Sequence, residues 1–209
     1  RAVKRALVTS ASRIVEVVAA ETGKSPLDAV EGELLPAAIH ARYLERTAHL
    51  HLATRQIGPQ PVVTKRAWVE YRPLGVAGVI SPWNFPFFLS FQPALTALAA
   101  GCGVVLKPSS ATPRSGALVA ELAAEAGLPD GLVQVGGGVD VVSFTGSSAV
   151  GREVAALAAA HLVPTLLELG GKHPMVVLED ADPVRAARGA VWGGFFNAGQ
   201  ACVAVERVY

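Results

Sequence analysis

The chain has 209 residues, 51% of them hydrophobic and 17% charged, with a formal net charge of +1. That composition supplies the core of one large domain, or of one domain with part of another, and excludes a disordered chain. The charges are interspersed and no basic stripe with interleaved aromatics occurs, so no nucleic-acid partner is expected.

Two cysteines, Cys102 and Cys202, lie far apart and make neither a disulfide framework nor a metal-binding motif, so no metal site is expected. Helical periodicity begins at once, without the charged and apolar regions of a secretory leader, and the expected compartment is a reducing cytoplasm. The first residue is Arg1 rather than Met, as a trimmed end would show.

In chain order, Ala2 to Glu21 and Leu27 to Leu52 read as two helices. Ser25 and Pro26 fit the cap and first turn of the second, and Pro36 is expected to kink it. Gln56 to Tyr71 changes character: Gly58, Pro59 and Pro61 precede the alternating, β-prone Val62, Val63, Thr64, Trp68, Val69 and Tyr71, which predicts a hairpin arm outside the main body. From Gly75 onward short apolar runs alternate with helical stretches. Strands are expected at Val76 to Ile80, Val104 to Leu106, Val133 to Val135, Val139 to Phe144 and Leu166 to Leu169. Helices are expected up to about Ala100, from Arg114 to Ala126 and from Ser148 to His161. This rhythm predicts an α/β fold, a Rossmann-like open parallel sheet with helices on both faces and ligands at the carboxyl ends of its strands.

Trp83 to Leu106 carries no charge and is long enough to cross a bilayer. Asn84, Pro86, Gln92, Pro93 and the turn at Gly101 to Gly103 break it into loop, helix and strand, so no membrane span is expected. One junction departs from the rhythm. Only Gly136, Gly137 and Gly138 separate the strand ending at Val135 from the strand starting at Val139, whereas a parallel crossover needs about a dozen residues. A segment is therefore expected to be omitted near 136–138.

Five short motifs follow one another: PWNFP at Pro82 to Pro86, LKPS at Leu106 to Ser109, FTGS at Phe144 to Ser147, ELGGK at Glu168 to Lys172 and GQAC at Gly199 to Cys202. Their order resembles that of the aldehyde dehydrogenase superfamily over essentially the whole chain apart from the glycine junction. The resemblance implies oxidation of an aldehyde to a carboxylic acid with NAD or NADP, through a thiohemiacetal and a thioester. It also implies a homodimer or homotetramer. The division it implies is a dinucleotide-binding domain over 1–55 and 72–171, an oligomerisation arm at 56–71 and the beginning of a second α/β catalytic domain at 172–209. The stretch Cys202 to Tyr209 is weakly similar to succinate-semialdehyde-type members.

Cys202 is the nucleophile by this resemblance; among side chains a thiolate is the strong soft nucleophile at neutral pH. A free cysteine is more often an inert buried thiol, the reading kept for Cys102. Asn84, on a loop stiffened by Pro82 and Pro86, matches the amide that stabilises the oxyanion, the alternative being an Asn that satisfies its own turn. Glu168 ends an apolar strand before two glycines and matches the base that activates water; its apolar surroundings would raise a carboxylate's pKa. A solvated strand-end glutamate is the alternative.

No GxGxxG fingerprint is present. Gly146 and Ser147 instead lead from a strand into a helix whose N-terminal amides suit a phosphate, a role compatible with ordinary capping. By resemblance Ile80 and Trp83 line the same cleft, and Lys107 bonds the adenosine ribose unless it is a plain surface lysine. Many NAD-preferring members carry a glutamate where this chain has Ser110, so no carboxylate repels a 2′-phosphate and NADP is expected to be accepted.

Two other readings stay open: a relative that passes the acyl group to coenzyme A, against which Glu168 argues, and a catalytically silent dinucleotide-binding module. The second arises because the family continues beyond Tyr209 with the rest of its catalytic domain, which leads to the expectation of a fragment.

Overall fold

The computed structural model describes residues 1–58, 64–134 and 138–209. Helices α1 (Ala2–Thr9) and α2 (Ala11–Thr22) replace the single helix expected from Ala2 to Glu21. The break is at Ser10, whose hydroxyl donates to Glu125 Oε2 at 2.8 Å, an alternative partner that disfavours helix continuity. Gly23 ends α2 in the left-handed conformation at φ 72°.

Ser25 then caps α3 (Pro26–Ala29) by accepting from Asp28 N at 3.1 Å. The long helix expected up to Leu52 is interrupted by a π-helical turn at Val30–Leu34 before α4 (Leu35–His51). Pro36 lies in the first turn of α4, directly after the π-helical turn, so the irregularity of the long helix falls on the residues just before the proline.

Strands β1 (Arg55–Gln56) and β2 (Trp68–Val69) pair antiparallel, Arg55 with Val69 and Gln56 with Trp68. This ribbon falls in the expected arm and begins one residue before it. The part of that expectation resting on Pro59, Pro61, Val62 and Val63 lies outside the described residues.

The body is a parallel sheet of β3 (Val76–Ile80), β4 (Gly103–Lys107), β5 (Val133–Gln134), β6 (Val141–Gly146) and β7 (Thr165–Leu169), in spatial order β5-β4-β3-β6-β7. Helices α5 (Phe88–Ala99) and α6 (Pro113–Glu125) join β3 to β4 and β4 to β5, and α7 (Ser148–Ala160) joins β6 to β7. The order reverses between β3 and β6. That reversal is the topological switch point of a doubly wound sheet, where the strand ends leave a crevice. The buried core lies under α5 and α6, with Val79, Val104 and Leu106 of the sheet against Phe87, Phe91, Leu118 and Leu122, and with Ile14 and Val18 of α2.

Strand β6 begins two residues later than expected. The Asp140 carboxylate accepts from Val76 N at 2.7 Å and so closes off the ladder below Val141, while Val139 packs over Gly78. In the sheet, β5 and β6 are separated by β4 and β3. Val135, Gly136 and Gly137, on which the expected omission rests, lie outside the described residues. Beyond β7 come β8 (His173–Met175), α8 (Pro183–Phe195), a 3-10 turn at Phe196–Gly199 and β9 (Val205–Val208), with β8 and β9 paired in parallel. Among the described residues no helix is long and apolar enough to cross a membrane.

Candidate active site

Side chains alternate along strands, so Ala77 and Val79 of β3, Val141, Ser143 and Thr145 of β6, and Leu166 and Glu168 of β7 share one face of the sheet. Together with one side of α5 and two loops they line a cavity of about 960 Å³. One loop follows β3 and carries Pro82, Trp83 and Asn84; the other carries Gln200, Ala201 and Cys202. Asn84, Glu168 and Cys202, predicted from far-apart motifs, therefore line one cavity, and Trp83, Gly146 and Ser147 line it with them.

The loop after β3 is tied directly to the loop of the cysteine. Asn84 Nδ2 donates to Gln200 O at 2.7 Å, so the amide reaches across the site and not into its own turn. Asn197 Nδ2 returns a bond to Asn84 O at 3.1 Å, and Gln200 N and Nε2 donate to Asn197 O at 3.1 and 3.3 Å. Asn197 is fully buried, and it and Ala198 both hold φ near 56°, followed by Gly199 at 75°. Three left-handed residues in a row turn the chain sharply just before Cys202. Cys202 is exposed, unlike the buried Cys102.

Glu168 pairs with Thr145 in the β6–β7 ladder and is exposed, so this stretch of chain does not furnish the apolar surroundings expected for it. At the carboxyl end of β6, Ser147 caps α7 by accepting from Val150 N at 3.3 Å. The amides of Ser148 and Ala149 precede the first intrahelical donor, Gly151 N, which bonds Ser147 O at 2.9 Å, and they point out of the helix end, a setting suited to a phosphate. The N-terminus of α6 differs. Glu21 takes Arg114 N at 3.0 Å, Ser115 N at 2.8 Å and Ser115 Oγ at 2.6 Å, so a phosphate there would meet a carboxylate.

Ile80, Lys107 and Ser110 do not line the cavity. Ile80 is the residue of β3 that alternates onto the other face, level with Lys107 and Phe144. It stands beside Lys107 near the carboxyl edge of the sheet, while Trp83 lines the cavity. Lys107 ends β4, its carbonyl accepting from Ser81 N at 3.2 Å, and its side chain and Ser110 are exposed at the same carboxyl edge of the sheet.

The model of the Aldehyde dehydrogenase family matches residues 1–209. The chain belongs to that family. A Methylomonas protein described as 4,4'-diapolycopene aldehyde oxidase is 44% identical over 220 aligned positions, covering 99% of this chain and 42% of the relative. A Mycolicibacterium smegmatis protein, provisionally described as an NADP(+) succinate-semialdehyde dehydrogenase, is 41% identical over 209 positions, covering 94% of this chain and 40% of its own length. The crystal structure of a Mycobacterium tuberculosis aldehyde dehydrogenase complexed with NAD+ superposes with a TM-score of 0.90 at 36% identity, covering 99% of this chain and 45% of that one. This aldehyde dehydrogenase chain thus spans less than half the length of the relatives it matches.

Sequence reasoning missed three polar residues that support the site: Lys24, Glu33 and Asn197. Lys24 Nζ donates to Glu33 Oε1 and to Asn84 O, each at 2.8 Å, with both charged side chains fully buried. Burial pushes the Glu33 carboxyl up, opposed by the Lys24 ammonium and the amides of Phe88 and Phe87. Only Asn197 carried a cue, since an Asn ahead of Ala-Gly suits a left-handed turn.

Proposed function

We propose that this chain is the dinucleotide-binding part, with the nucleophile loop, of an enzyme that oxidises an aldehyde to a carboxylic acid using NAD or NADP. The observation that carries the reading is the single cavity at the switch point lined by a nucleophile, an amide donor and a carboxylate from three separate segments. The Cys202 thiolate adds to the carbonyl carbon, forming a C–S bond and leaving the π electrons on oxygen. One Asn84 N–H is held by Gln200 O, which aims the second N–H of the same amide at that oxyanion. Glu168 takes a proton from the water that hydrolyses the Cys202 thioester, releasing the acid and restoring the thiolate.

The residues present fit the dinucleotide. The α7 amides and Ser147 would hold a phosphate, Trp83 would border the nicotinamide half, and Lys107 and Ser110 would meet the adenosine ribose. When bound there, the oxidised nicotinamide supplies the hydride acceptor. A succinate-semialdehyde-like substrate is compatible with one of the relatives, and any aldehyde reaching Cys202 meets a mainly apolar lining.

Two substitutions in the full-length protein test the reading. Cys202→Ala is expected to abolish oxidation while dinucleotide affinity, measured by fluorescence titration, stays within about threefold, since no phosphate contact is lost. Glu168→Gln is expected to give an initial burst of reduced cofactor and then stall, because acylation precedes the step that needs the base. Turnover by Cys202→Ala would remove the nucleophile from its role. Loss of the burst in Glu168→Gln would move the base to an earlier step.

A further inference from the structure

Behind the Asn84 loop, outside the cavity lining, lies a buried polar cluster that the chemistry above does not use. Lys24 and Glu33 are fully buried and joined at 2.8 Å. The second acceptor of Lys24 Nζ is Asn84 O at 2.8 Å, and the ammonium stands 4.7 Å from the centre of the Phe85 ring. The second Glu33 oxygen accepts from Phe88 N at 2.7 Å. One ion pair therefore grips both ends of the stretch from Asn84 to Phe88.

Glu33 reaches this position from the π-helical turn, a local widening of the helix of the kind often found at functional sites. In the same turn a Cβ at Gly32 would come within 2.7 Å of the Phe85 ring. Apolar side chains of the same volume would fill this space at less desolvation cost than an ion pair. What an apolar filling could not do is bond Asn84 O and Phe88 N. Lys24 and Asn197 together occupy Asn84 O, and the direction of the Asn84 side chain follows from where its backbone is held.

We propose that Lys24 and Glu33 are positioning residues that keep the Asn84 amide aligned with the Cys202 loop for acylation. The inference rests on the proposed reading of the site. Its consequence is selective: steps that build an oxyanion at Cys202 depend on the pair, and reactions of the same thiol that build none do not.

The test uses the full-length protein with Lys24→Met and Glu33→Gln combined, which removes both charges together and leaves an acceptor for Phe88 N. Acylation is read as the rate of the pre-steady-state burst of reduced cofactor. Alkylation of Cys202 by iodoacetamide, a displacement at saturated carbon without an oxyanion, is the control. Acylation is expected to slow by about ten- to a hundredfold, the scale of small misplacements at reacting groups, while alkylation stays within about twofold. In an Asn84→Ala background the pair of substitutions is expected to add almost nothing, because the group it aligns is gone.

Lys24→Arg keeps the charges and moves the donors, so it is expected to give the same split if the double variant does not fold. Parallel loss of acylation and alkylation, or full additivity with Asn84→Ala, would overturn the inference and leave a structural pair. An Asn84→Ala enzyme that acylates as fast as the parent would instead sink the reading of the site beneath it, a separate and recognisable result.

Discussion

Ala198 offers an unusual substitution, an Ala→Gly change expected to stabilise. The residue is exposed and holds φ 56° and ψ 31° in the turn before Cys202. An L-residue with a Cβ in that region is strained by about 1–2 kcal/mol, which glycine escapes. Against this, glycine loses more backbone freedom on folding, a cost of about 0.5–1 kcal/mol relative to alanine. Because the methyl group is exposed, almost no burial is lost, and the net expectation for Ala198→Gly is a gain of about 0.5–1 kcal/mol. Urea unfolding of the full-length protein measures it as a raised midpoint at unchanged slope. The neighbouring Asn197→Ala works in the opposite direction: the left-handed backbone stays, and the bond to Asn84 O goes. A loss of about 1–3 kcal/mol is expected there from the hydrogen bond and the poorer left-handed fit of alanine. If Ala198→Gly destabilises by the ordinary glycine cost, the turn is not left-handed and the account of how it presents Cys202 fails.

Ser110→Glu is expected to depress NADP use by about five- to a hundredfold, the effect of about 1–3 kcal/mol of like-charge repulsion at a 2′-phosphate, while NAD use is maintained or improved; steady-state kinetics with both cofactors decide it, and a parent that rejects NADP would show that another residue sets the preference. Deleting Gln56 to Tyr71 is expected to leave a monomer or an aggregate, because the β1–β2 ribbon exposes sheet edges that seek pairing; unchanged oligomeric mass by light scattering would refute its role as an arm. Gly32→Ala is expected to cost about 1–3 kcal/mol by overpacking against Phe85, and a melting temperature equal to the parent's would mean that the ring moves aside freely.

The alternation of apolar runs and helical stretches from Val76 to Leu169 was readable because strands of a parallel sheet flanked by helices are rich in apolar residues. The caps at Ser25 and Ser147 were readable because their side chains act within three residues of themselves. The break at Ser10 was not, since its cause is Glu125 on a distant helix. The π-helical turn was hidden for a related reason: Val30–Leu34 has no composition that separates it from the flanking helix, and its partners Phe85 and Phe88 come much later in the chain. Lys24 and Glu33 were passed over because a single charged residue, in a loop such as Lys24 or a helical segment such as Glu33, is usually at the surface. Within the site, motif order located Asn84, Glu168 and Cys202, whereas Ile80 needed the strand alternation of the actual register to be set on the other face.

Asn84 bonds with Lys24, 60 positions earlier, with Asn197, 113 positions later, and with Gln200, 116 positions later. Each of these contacts closes a long stretch of chain, and loop closure of that kind must precede any reward from the contact. The side-chain amide of this residue therefore reaches its final environment only after the N-terminal helices and the turn before Cys202 have both docked. In a refolding experiment the Asn84 amide becomes a timer for completion, and its substitution should speed unfolding far more than it slows folding.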